Sequence, residues 1–290
     1  MTLKVAALVL SYRYPAGIAA LARYFAAGDV DMFIHVDKKI DDAPFRQAAG
    51  SAGVGNNVFL QDRVEMFWRG FTMIEASIRL VLLAKSSRRY DRYLIISDDS
   101  LPLVTPADLC ERLQFESDYL AAVPAPGLAS ERYDRFFMFD SRATQVRWIP
   151  VVDREVTLDT SRRLTRLDAL RERGKKPLDT YYSGSQWMGL TSAAVDLILE
   201  SWAKDDWLRE SFEFSEVPDE SYFHTILSRA IWQPLTYVDW STPLPPRIFK
   251  TIEEISSVNP KGAMFLRKVD LSAMELDLWI RMLLEKSVSP

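Results

Sequence analysis

The sequence has little of what disulfide-bonded, zinc-binding or membrane-spanning proteins need. It contains one cysteine, Cys110, so no disulfide can form within the chain, and its two histidines are too few for an ordinary zinc site. The apolar run at residues 5–10 is far shorter than the roughly 20 residues of a transmembrane helix. We therefore expect a cytoplasmic protein without a transmembrane segment, the alternative being a peripheral position at the inner membrane face.

An excess of positive charge is also missing. Thirty-six lysines and arginines oppose forty aspartates and glutamates, which leaves a net charge of −4. Such a chain lacks the field that draws proteins to nucleic acid, so we expect no nucleic-acid partner. With 48% hydrophobic residues over 290 positions, the composition is that of an ordinary globular protein. No repeat or low-complexity linker is visible, and we predict one domain over residues 1–290.

Strand and helix patterns alternate through the first 125 residues. Near-continuous apolar runs at residues 3–11, 32–36 and 93–96 are typical of strands buried on both faces of a parallel sheet. Helical spacing of apolar residues lies between them, at residues 15–25 and 70–85. The alternation predicts βαβ units, and thus an α/β protein with a Rossmann-like N-terminal half.

The second half is less regular. Its predicted features are a surface segment at 124–150, a solvated helix at 158–174, helices at 192–202 and 219–230 with an acidic loop between them, and a C-terminal helix at 271–286.

Polar residues follow the predicted strands where ligands bind in open α/β sheets. The first strand ends at Ser11 and Tyr12, the second runs into Asp37, and a later one into Asp98 and Asp99. Asp37 could accept hydrogen bonds from a base or ribose, or could serve only as a loop carboxylate. The Asp98-Asp99 pair could bind a divalent cation, although adjacent aspartates at a strand end commonly form turns.

Three further signals lie in the second half. Residues 181–187 form a small-residue turn bracketed by aromatics, which suits a polar ligand such as a sugar. Glu220 lies in an acidic first turn after Pro218, where a carboxylate also satisfies a helix dipole. The cations Arg247, Arg267 and Lys268 read as solvated surface charges, although two converging cations would bind a diphosphate.

Together these motifs resemble the core-2/I-branching glycosyltransferase family, which also contains the peptide-O-xylosyltransferases. The resemblance rests on six segments in family order, at residues 34–39, 68–76, 182–191, 218–226, 239–240 and 265–270. It implies a GT-A type glycosyltransferase fold with a mixed central sheet, divided into a nucleotide-binding half (1–125) and an acceptor and catalytic half (126–290).

The resemblance also implies a reaction. The family moves a sugar, usually N-acetylglucosamine or xylose, from a UDP-sugar to an acceptor hydroxyl, with inversion and without a metal ion or other cofactor. The absence of the family's membrane anchor, stem and disulfide cysteines fits a bacterial enzyme of polysaccharide biosynthesis. The acceptor stays open between a glycan, a lipid-linked molecule and a protein.

By resemblance, Glu220 is the catalytic base. Nucleotide contacts fall to Ser11, Tyr12, Asp37 and Trp68, while Lys268 binds the diphosphate with Arg247, for which Lys250 is a rival. The sugar and acceptor side is lined by Ser183, Gly184, Ser185, Trp187 and Trp240. Two alternatives remain: a metal-dependent GT-A transferase of another family that uses Asp98 or Asp99, and a non-catalytic nucleotide-sugar or glycan-binding protein.

Overall fold

The computed structural model describes residues 3–53, 56–115, 117–125, 131–134, 136–140, 162, 165–170, 172, 180–242 and 245–287. Its strands are β1 (Val5–Ser11), β2 (Asp31–Val36), β3 (Asn57–Phe59), β4 (Arg92–Ser97), β5 (Leu101–Pro102), β6 (Ala121–Pro124), β7 (Tyr182–Gly184), β8 (Met188–Thr191), β9 (Ile231–Trp232), β10 (Thr236–Val238) and β11 (Phe265–Arg267). Its α-helices are α1 (Pro15–Ala27), α2 (Ala43–Ser51), α3 (Thr72–Ser87), α4 (Pro106–Arg112), α5 (Glu131–Asp134), α6 (Ser192–Lys204), α7 (Asp206–Glu213), α8 (Tyr222–Leu227), α9 (Ile252–Ser256) and α10 (Ala273–Lys286), and a 3-10 turn covers Pro218–Glu220.

Five strands form the central sheet, in the order β3-β2-β1-β4-β8. The first four are parallel, whereas β8 runs antiparallel to β4, so the sheet is mixed. In the middle of the sheet, Leu8 lies opposite Phe33 on one side and Ile95 on the other. The predicted α/β class, Rossmann-like N-terminal half and mixed sheet are therefore confirmed, while the functional division at residue 125 stays a prediction.

Both faces of this sheet are covered, which explains the near-continuous apolar strands. Successive side chains of a strand point to opposite faces. The odd-numbered residues of β1 from Val5 to Val9 belong to a core cluster with α1 and α10, and the even-numbered residues from Ala6 to Leu10 belong to a second cluster with α3 and α6. The helices predicted at 15–25, 70–85, 192–202 and 271–286 are confirmed as α1, α3, α6 and α10.

Two small sheets flank the central one, in the orders β10-β11-β5 and β7-β6-β9. Strand β5 follows β4 after a short turn and pairs antiparallel with β11, with Leu101 opposite Leu266. Because of this pairing, the residues at the end of β11 lie beside the carboxyl end of β4. A C-terminal segment thus reaches the edge where the N-terminal strands end.

The structure corrects three predictions for the second half. The helix predicted at 219–230 is shorter, because residues 218–220 form a 3-10 turn and α8 ends at Leu227, before Ser228, whose φ is +50°. The predicted acidic loop contains α7, with Leu208 and Phe212 buried. In the predicted surface segment 124–150, Tyr133 and Asp140 are buried; its residues 126–130, 135 and 141–150 lie outside the described part of the chain.

Two observations concern the remaining elements. The structure describes helix over residues 165–170 of the predicted helix 158–174, and most of the rest of that segment lies outside the described residues. No helix among the described residues is long and apolar enough to cross a membrane.

Candidate active site

The polar ends of β1, β2 and β4 meet at one edge of the sheet, as the sequence predicted. The backbone N–H of Asp37 donates to the carbonyl of Ser11 at 2.8 Å, and that of Asp98 donates to the carbonyl of Leu10 at 3.1 Å. Tyr12 follows and is 41% exposed, whereas Ser11 is fully buried. This is the edge where ligands bind in open α/β sheets.

Asp98 holds the loop between β1 and α1. Its Oδ2 accepts the backbone N–H groups of Tyr12, Arg13 and Tyr14 at 3.0, 3.0 and 2.9 Å. The carboxyl is completely buried; burial and the neighbouring Asp99 raise its pKa, which the three amides lower in part. The Asp98 carboxyl therefore holds the conformation of the loop that carries Ser11 and Tyr12.

Asp99 forms ion pairs with two arginines at the same edge of the sheet. Its Oδ1 accepts from Nη2 of Arg267 at 3.1 Å and from the Ser97 hydroxyl at 2.6 Å, and its Oδ2 pairs with Nη2 of Arg13 at 3.2 Å. Burial raises the pKa of Asp99, but Arg267, Ser97, Lys268 and Arg13 outweigh it and leave that pKa below its ordinary value. Asp99 is thus an ionised anchor.

Arg267 corrects a sequence interpretation. The sequence favoured a solvated surface charge over a diphosphate ligand, yet the Arg267 side chain is only 11% exposed. Its guanidinium lies 4.3 Å from the centre of the Trp187 ring, so a cation–π contact adds to the ion pair with Asp99. Trp187 is itself buried, and the ring forms a platform under Arg267.

Lys268 follows Arg267 and is half-buried. Burial and then Arg267 lower its pKa, and Asp99 raises it in part. In the part of the chain that the structure describes, no carboxylate lies within ion-pair distance of its ammonium. Arg267 and Lys268 thus present positive charge at the sheet edge next to a single ionised anchor.

Arg247 and its rival Lys250 lie on the segment beside Lys268. The N–H of Phe249 donates to the Lys268 carbonyl at 2.8 Å. Arg247 pairs with Asp239 at 3.6 Å and with Glu254 at 3.5 Å. Trp240 lies on the same segment and is 59% exposed, whereas Lys250 is exposed and donates its backbone N–H to Glu254 at 2.7 Å.

Asp37 joins the end of β2 to the segment before Trp68. Its Oδ1 accepts the N–H groups of Lys39 at 3.0 Å and Met66 at 3.3 Å, and its Oδ2 lies 2.9 Å from the Lys39 ammonium. His35 supports the same segment, since its Nε2 accepts from the N–H of Val64 at 2.9 Å. Burial lowers the pKa of His35 to about 4, so this ring is neutral at physiological pH.

Trp68 and Arg69 link the segment beside Asp37 to the turn that carries Glu220. Trp68 is 63% exposed, and the Arg69 guanidinium lies 4.6 Å from the centre of its ring. The carbonyl of Arg69 accepts the N–H of Val217 at 3.1 Å. Both Arg69 and Val217 have positive φ, +69° and +50°, conformations that non-glycine residues hold at an energetic cost and that cluster at functional sites.

Glu220 is the last residue of the 3-10 turn, with its side chain 35% exposed. Its Oε2 lies 3.5 Å from Nη1 of Arg132. Burial raises the pKa of Glu220, while Arg132 and Arg69 lower it in part. Because α8 begins only at Tyr222, Glu220 precedes the helix instead of lying in its first turn.

The small-residue turn lies next to Glu220. Ser183 accepts from the Tyr133 hydroxyl at 3.2 Å, and Ser185 accepts the N–H of Trp187 at 3.2 Å. A Cβ at Gly184 would lie 1.8 Å from the carbonyl oxygen of Ala121, so glycine is required for the close pairing of β7 with β6. Through Trp187 this turn also reaches Arg267.

The family model of the core-2/I-branching enzymes, described as "Branch: Core-2/I-Branching enzyme", matches residues 18–261. The chain belongs to this family. A core-2/I-branching enzyme is a glycosyltransferase, and membership implies a nucleotide-sugar donor and a glycan acceptor. The predicted GT-A type fold is confirmed with it, in the mixed sheet and Rossmann-like half described above.

The chain is also similar to solved structures, among them that of a xylosyltransferase. The apo form of mouse xyloside xylosyltransferase 1 is similar to the chain with 11% sequence identity and a TM-score of 0.32, over 78% of this chain and 81% of that one. A TM-score and identity this low do not support any conclusion about the function of the chain. No curated protein sequence matches the chain.

The structure thus divides the predicted residues of this core-2/I-branching enzyme into three linked groups. Ser11, Tyr12, Asp37 and Lys268 lie along the sheet edge with the Asp99 cluster and Trp187. Trp68, Ser183, Gly184 and Ser185 lie around the Glu220 turn, and Arg247 and Trp240 share a third segment. No group of three or more His, Cys, Asp or Glu side chains within the described ranges could hold a metal ion.

Sequence reasoning missed the parts played by Arg13, Arg132 and Asp99. Arg13 and Asp99 follow strands with polar ends, but nothing in the local sequence indicates that they pair. Arg132 lay in a segment without a clear period, so no signal in the sequence could have assigned it to Glu220.

Proposed function

We propose that the protein transfers N-acetylglucosamine or xylose from a UDP-sugar to an acceptor hydroxyl, with inversion at the anomeric carbon and without a metal ion. One observation supports the proposal: cations surround Asp99 at the sheet edge, and residues 182–187 connect them to the half-buried Glu220, because Trp187 contacts Arg267 and the Tyr182 carbonyl accepts the hydroxyl of Ser221, which follows Glu220. The cations can stabilise a leaving diphosphate, and the Glu220 carboxylate can accept a proton.

In this proposal residues 1–125 supply the nucleotide site. Ser11 and Tyr12 at the end of β1, Asp37 at the end of β2 and the exposed ring of Trp68 contact the uridine. Residues 126–290 supply the diphosphate cations, the base and the acceptor side. Lys268 binds the diphosphate, with Arg267 beside it, and Arg247 is a better partner than Lys250 because Lys250 is exposed.

The proposed reaction is a single displacement. The acceptor oxygen forms a bond to the anomeric carbon while the bond from that carbon to the diphosphate oxygen breaks, and Glu220 takes the acceptor proton. Nucleoside diphosphate leaves with about two negative charges, which a metal ion neutralises in many transferases and which protein cations can stabilise instead. A base with a pKa raised toward neutrality is suited to its task.

The acceptor side is proposed to lie between the Glu220 turn and the exposed Trp240. In this proposal Ser183, Gly184, Ser185 and Trp187 contact the sugar and acceptor, and the exposed aromatic ring of Trp240 covers the apolar face of a sugar. The proposed acceptor is a glycan, a lipid-linked molecule or a protein.

The test is turnover in the absence of metal. We expect donor hydrolysis or transfer by the wild-type protein to persist in excess EDTA. Glu220→Gln keeps the side-chain volume but removes the basic carboxylate, so turnover should fall by about 10²- to 10⁴-fold while the Kd for UDP changes little. Glu213→Gln, which removes an ion-paired carboxylate on α7, is the control and should keep its turnover.

Three outcomes would contradict the proposal. Activity that is lost in EDTA and restored by Mn²⁺ would indicate a metal-dependent transferase. Wild-type turnover in a folded Glu220→Gln variant would remove Glu220 from the mechanism. A protein that binds UDP-sugars but never turns them over would be the non-catalytic binder.

A further inference from the structure

Arg13 is held at the sheet edge by both its backbone and its side chain. Its N–H is the middle one of the three that Asp98 binds, at 3.0 Å. Its guanidinium pairs with Oδ2 of Asp99 at 3.2 Å. These two contacts fix where the side chain starts and where it ends, so the cation is preorganised at this edge.

Arg13 shares its carboxylate with Arg267. Asp99 binds Arg267 chiefly through Oδ1 and Arg13 through Oδ2, and Lys268 follows Arg267 in the chain. Asp99 has no exposed side-chain surface, whereas the side chain of Arg13 is 31% exposed. The buried anion therefore lies beneath the cluster, and part of the Arg13 side chain is accessible from solvent.

We propose that Arg13 is a further cation of the diphosphate site, in addition to Lys268, Arg267 and Arg247, and that Asp98 and Asp99 position it there. This inference rests on the proposed function, since it assigns a further residue to the donor site of that reaction. The ligand group is the diphosphate of the donor and of the departing nucleotide, which a planar guanidinium can bind through two parallel hydrogen bonds.

Arg13 sets the net charge of the group formed by Asp99, Arg13, Arg267 and Lys268, since the charge of Arg247 is offset by its own partners, Asp239 and Glu254. Arg267 and Lys268 carry two positive charges, but the ionised Asp99 offsets one of them. With Arg13 included, three positive charges and the negative charge of Asp99 leave a net charge of two positive. The leaving group develops about two negative charges, which this net charge can stabilise. Asp98 contributes its carboxyl to the three amides of the loop and binds none of the three cations at ion-pair distance.

The chain offers a closely matched control. Arg23 on α1 is also a partly exposed arginine in one ion pair, with 33% exposure and 3.1 Å to Asp277, compared with 31% and 3.2 Å for Arg13. Replacing Arg13 leaves the loop intact, because Asp98 binds the backbone N–H of residue 13 and not its side chain. Arg13→Ala is therefore expected to fold.

The experiment measures the binding of UDP, ADP and uridine by calorimetry without added metal. Arg13→Ala should weaken UDP binding about tenfold, the loss typical of one charge-assisted hydrogen bond, and leave uridine binding unchanged. Arg13→Lys should recover part of the loss, and Arg23→Ala should bind like the wild type. If the wild type binds UDP and Arg13→Ala binds it equally well, the inference is wrong.

The panel separates this result from failure of the proposed donor. Binding of ADP but not UDP, weakened by Arg13→Ala, would support the cation and contradict the uridine assignment. Binding of no nucleoside diphosphate by the wild type would overturn both proposals. Equal weakening of UDP and uridine would assign Arg13 to the nucleoside and overturn its role on the diphosphate.

Discussion

Nη1 of Arg132 lies 3.5 Å from Oε2 of Glu220, although 88 residues separate them in the chain. Two backbone hydrogen bonds hold the turn of Glu220 in place. The carbonyl of Arg132 accepts the N–H of Glu216 at 2.8 Å, and the carbonyl of Arg69 accepts the N–H of Val217 at 3.1 Å. Two separate segments therefore support the turn that ends in Glu220; Arg132 contacts the Glu220 carboxyl, and Arg69 pairs with Glu216 at 3.0 Å.

Removing Arg132 should shift the pH dependence of activity. Burial raises the pKa of Glu220 and Arg132 lowers it in part, so Arg132→Ala raises that pKa further. A general base works when ionised, and kcat/KM falls as the pH drops through its pKa. We therefore expect the acidic limb of the kcat/KM profile to move to higher pH in Arg132→Ala and to return toward its original position in Arg132→Lys.

The control for this shift is Arg23→Ala, which removes a partly exposed arginine from α1. It should leave the profile unchanged. A profile of Arg132→Ala that coincides with the wild type, or moves to lower pH, would show that Arg132 does not act on the group that limits activity.

Lys268→Ala should weaken the binding of UDP. A charge-assisted contact contributes about 1.5 to 3 kcal/mol, so the Kd measured by calorimetry should rise roughly ten- to a hundredfold. Lys261→Ala removes an exposed lysine from the same part of the chain and should leave the Kd unchanged. An unaltered Kd for Lys268→Ala would return Lys268 to the role of a surface cation.

Asp98→Ala should destabilise the fold as well as the nucleotide site. It leaves three backbone N–H groups without their acceptor, which should cost about 3 kcal/mol or more in the free energy of unfolding. Asp98→Asn keeps one acceptor oxygen and should lose less. Urea unfolding measures the difference, with Asp41→Ala as the control because exposed Asp41 accepts a single amide N–H.

If Asp98 is only a turn former, the alanine variant will be as stable as the Asp41 control. If Asp98 binds a catalytic metal ion, the asparagine variant will keep its stability and lose its activity. Either result would contradict the role assigned to Asp98 in holding the loop.

Asp219 should make the protein less stable as the pH rises. Burial, followed by repulsion from Glu220 and Asp140, raises the pKa of Asp219 from 3.8 to about 8. Between those values the native state holds a proton that the unfolded chain releases, so the free energy of unfolding falls with pH. The slope from this one group is at most about 1.4 kcal/mol per pH unit.

Asp219→Asn is uncharged and should remove that contribution. We expect its stability relative to the wild type to increase from about pH 5 to about pH 8, measured by urea unfolding at several pH values. Asp270→Asn, at an exposed position, should not change the dependence. A constant difference between Asp219→Asn and the wild type across this range would show that Asp219 is already ionised.

The sequence alone determined three of the five strands of the central sheet, β1, β2 and β4, and its main helices. The apolar runs of β1, β2 and β4 and the helical spacing of α1, α3, α6 and α10 are local patterns, and burial on both faces needs nothing else to be recognised. The family motifs also named Glu220 and Lys268 as candidates. The sequence did not predict α7 or the break between residues 220 and 222, because packing and turn geometry override local propensity there.

Tertiary structure alone decided how the charged residues are used. Arg267 and Asp99 are 168 residues apart, and they pair because β11 lies against β5 at the end of β4. Nothing in the local sequence distinguishes a cation that is buried on a tryptophan ring from one that is solvated. The same holds for Asp98 and Arg132, since an ion pair or a shared carboxylate depends on which segments the topology brings together, and a periodic pattern reports only which face of an element is buried.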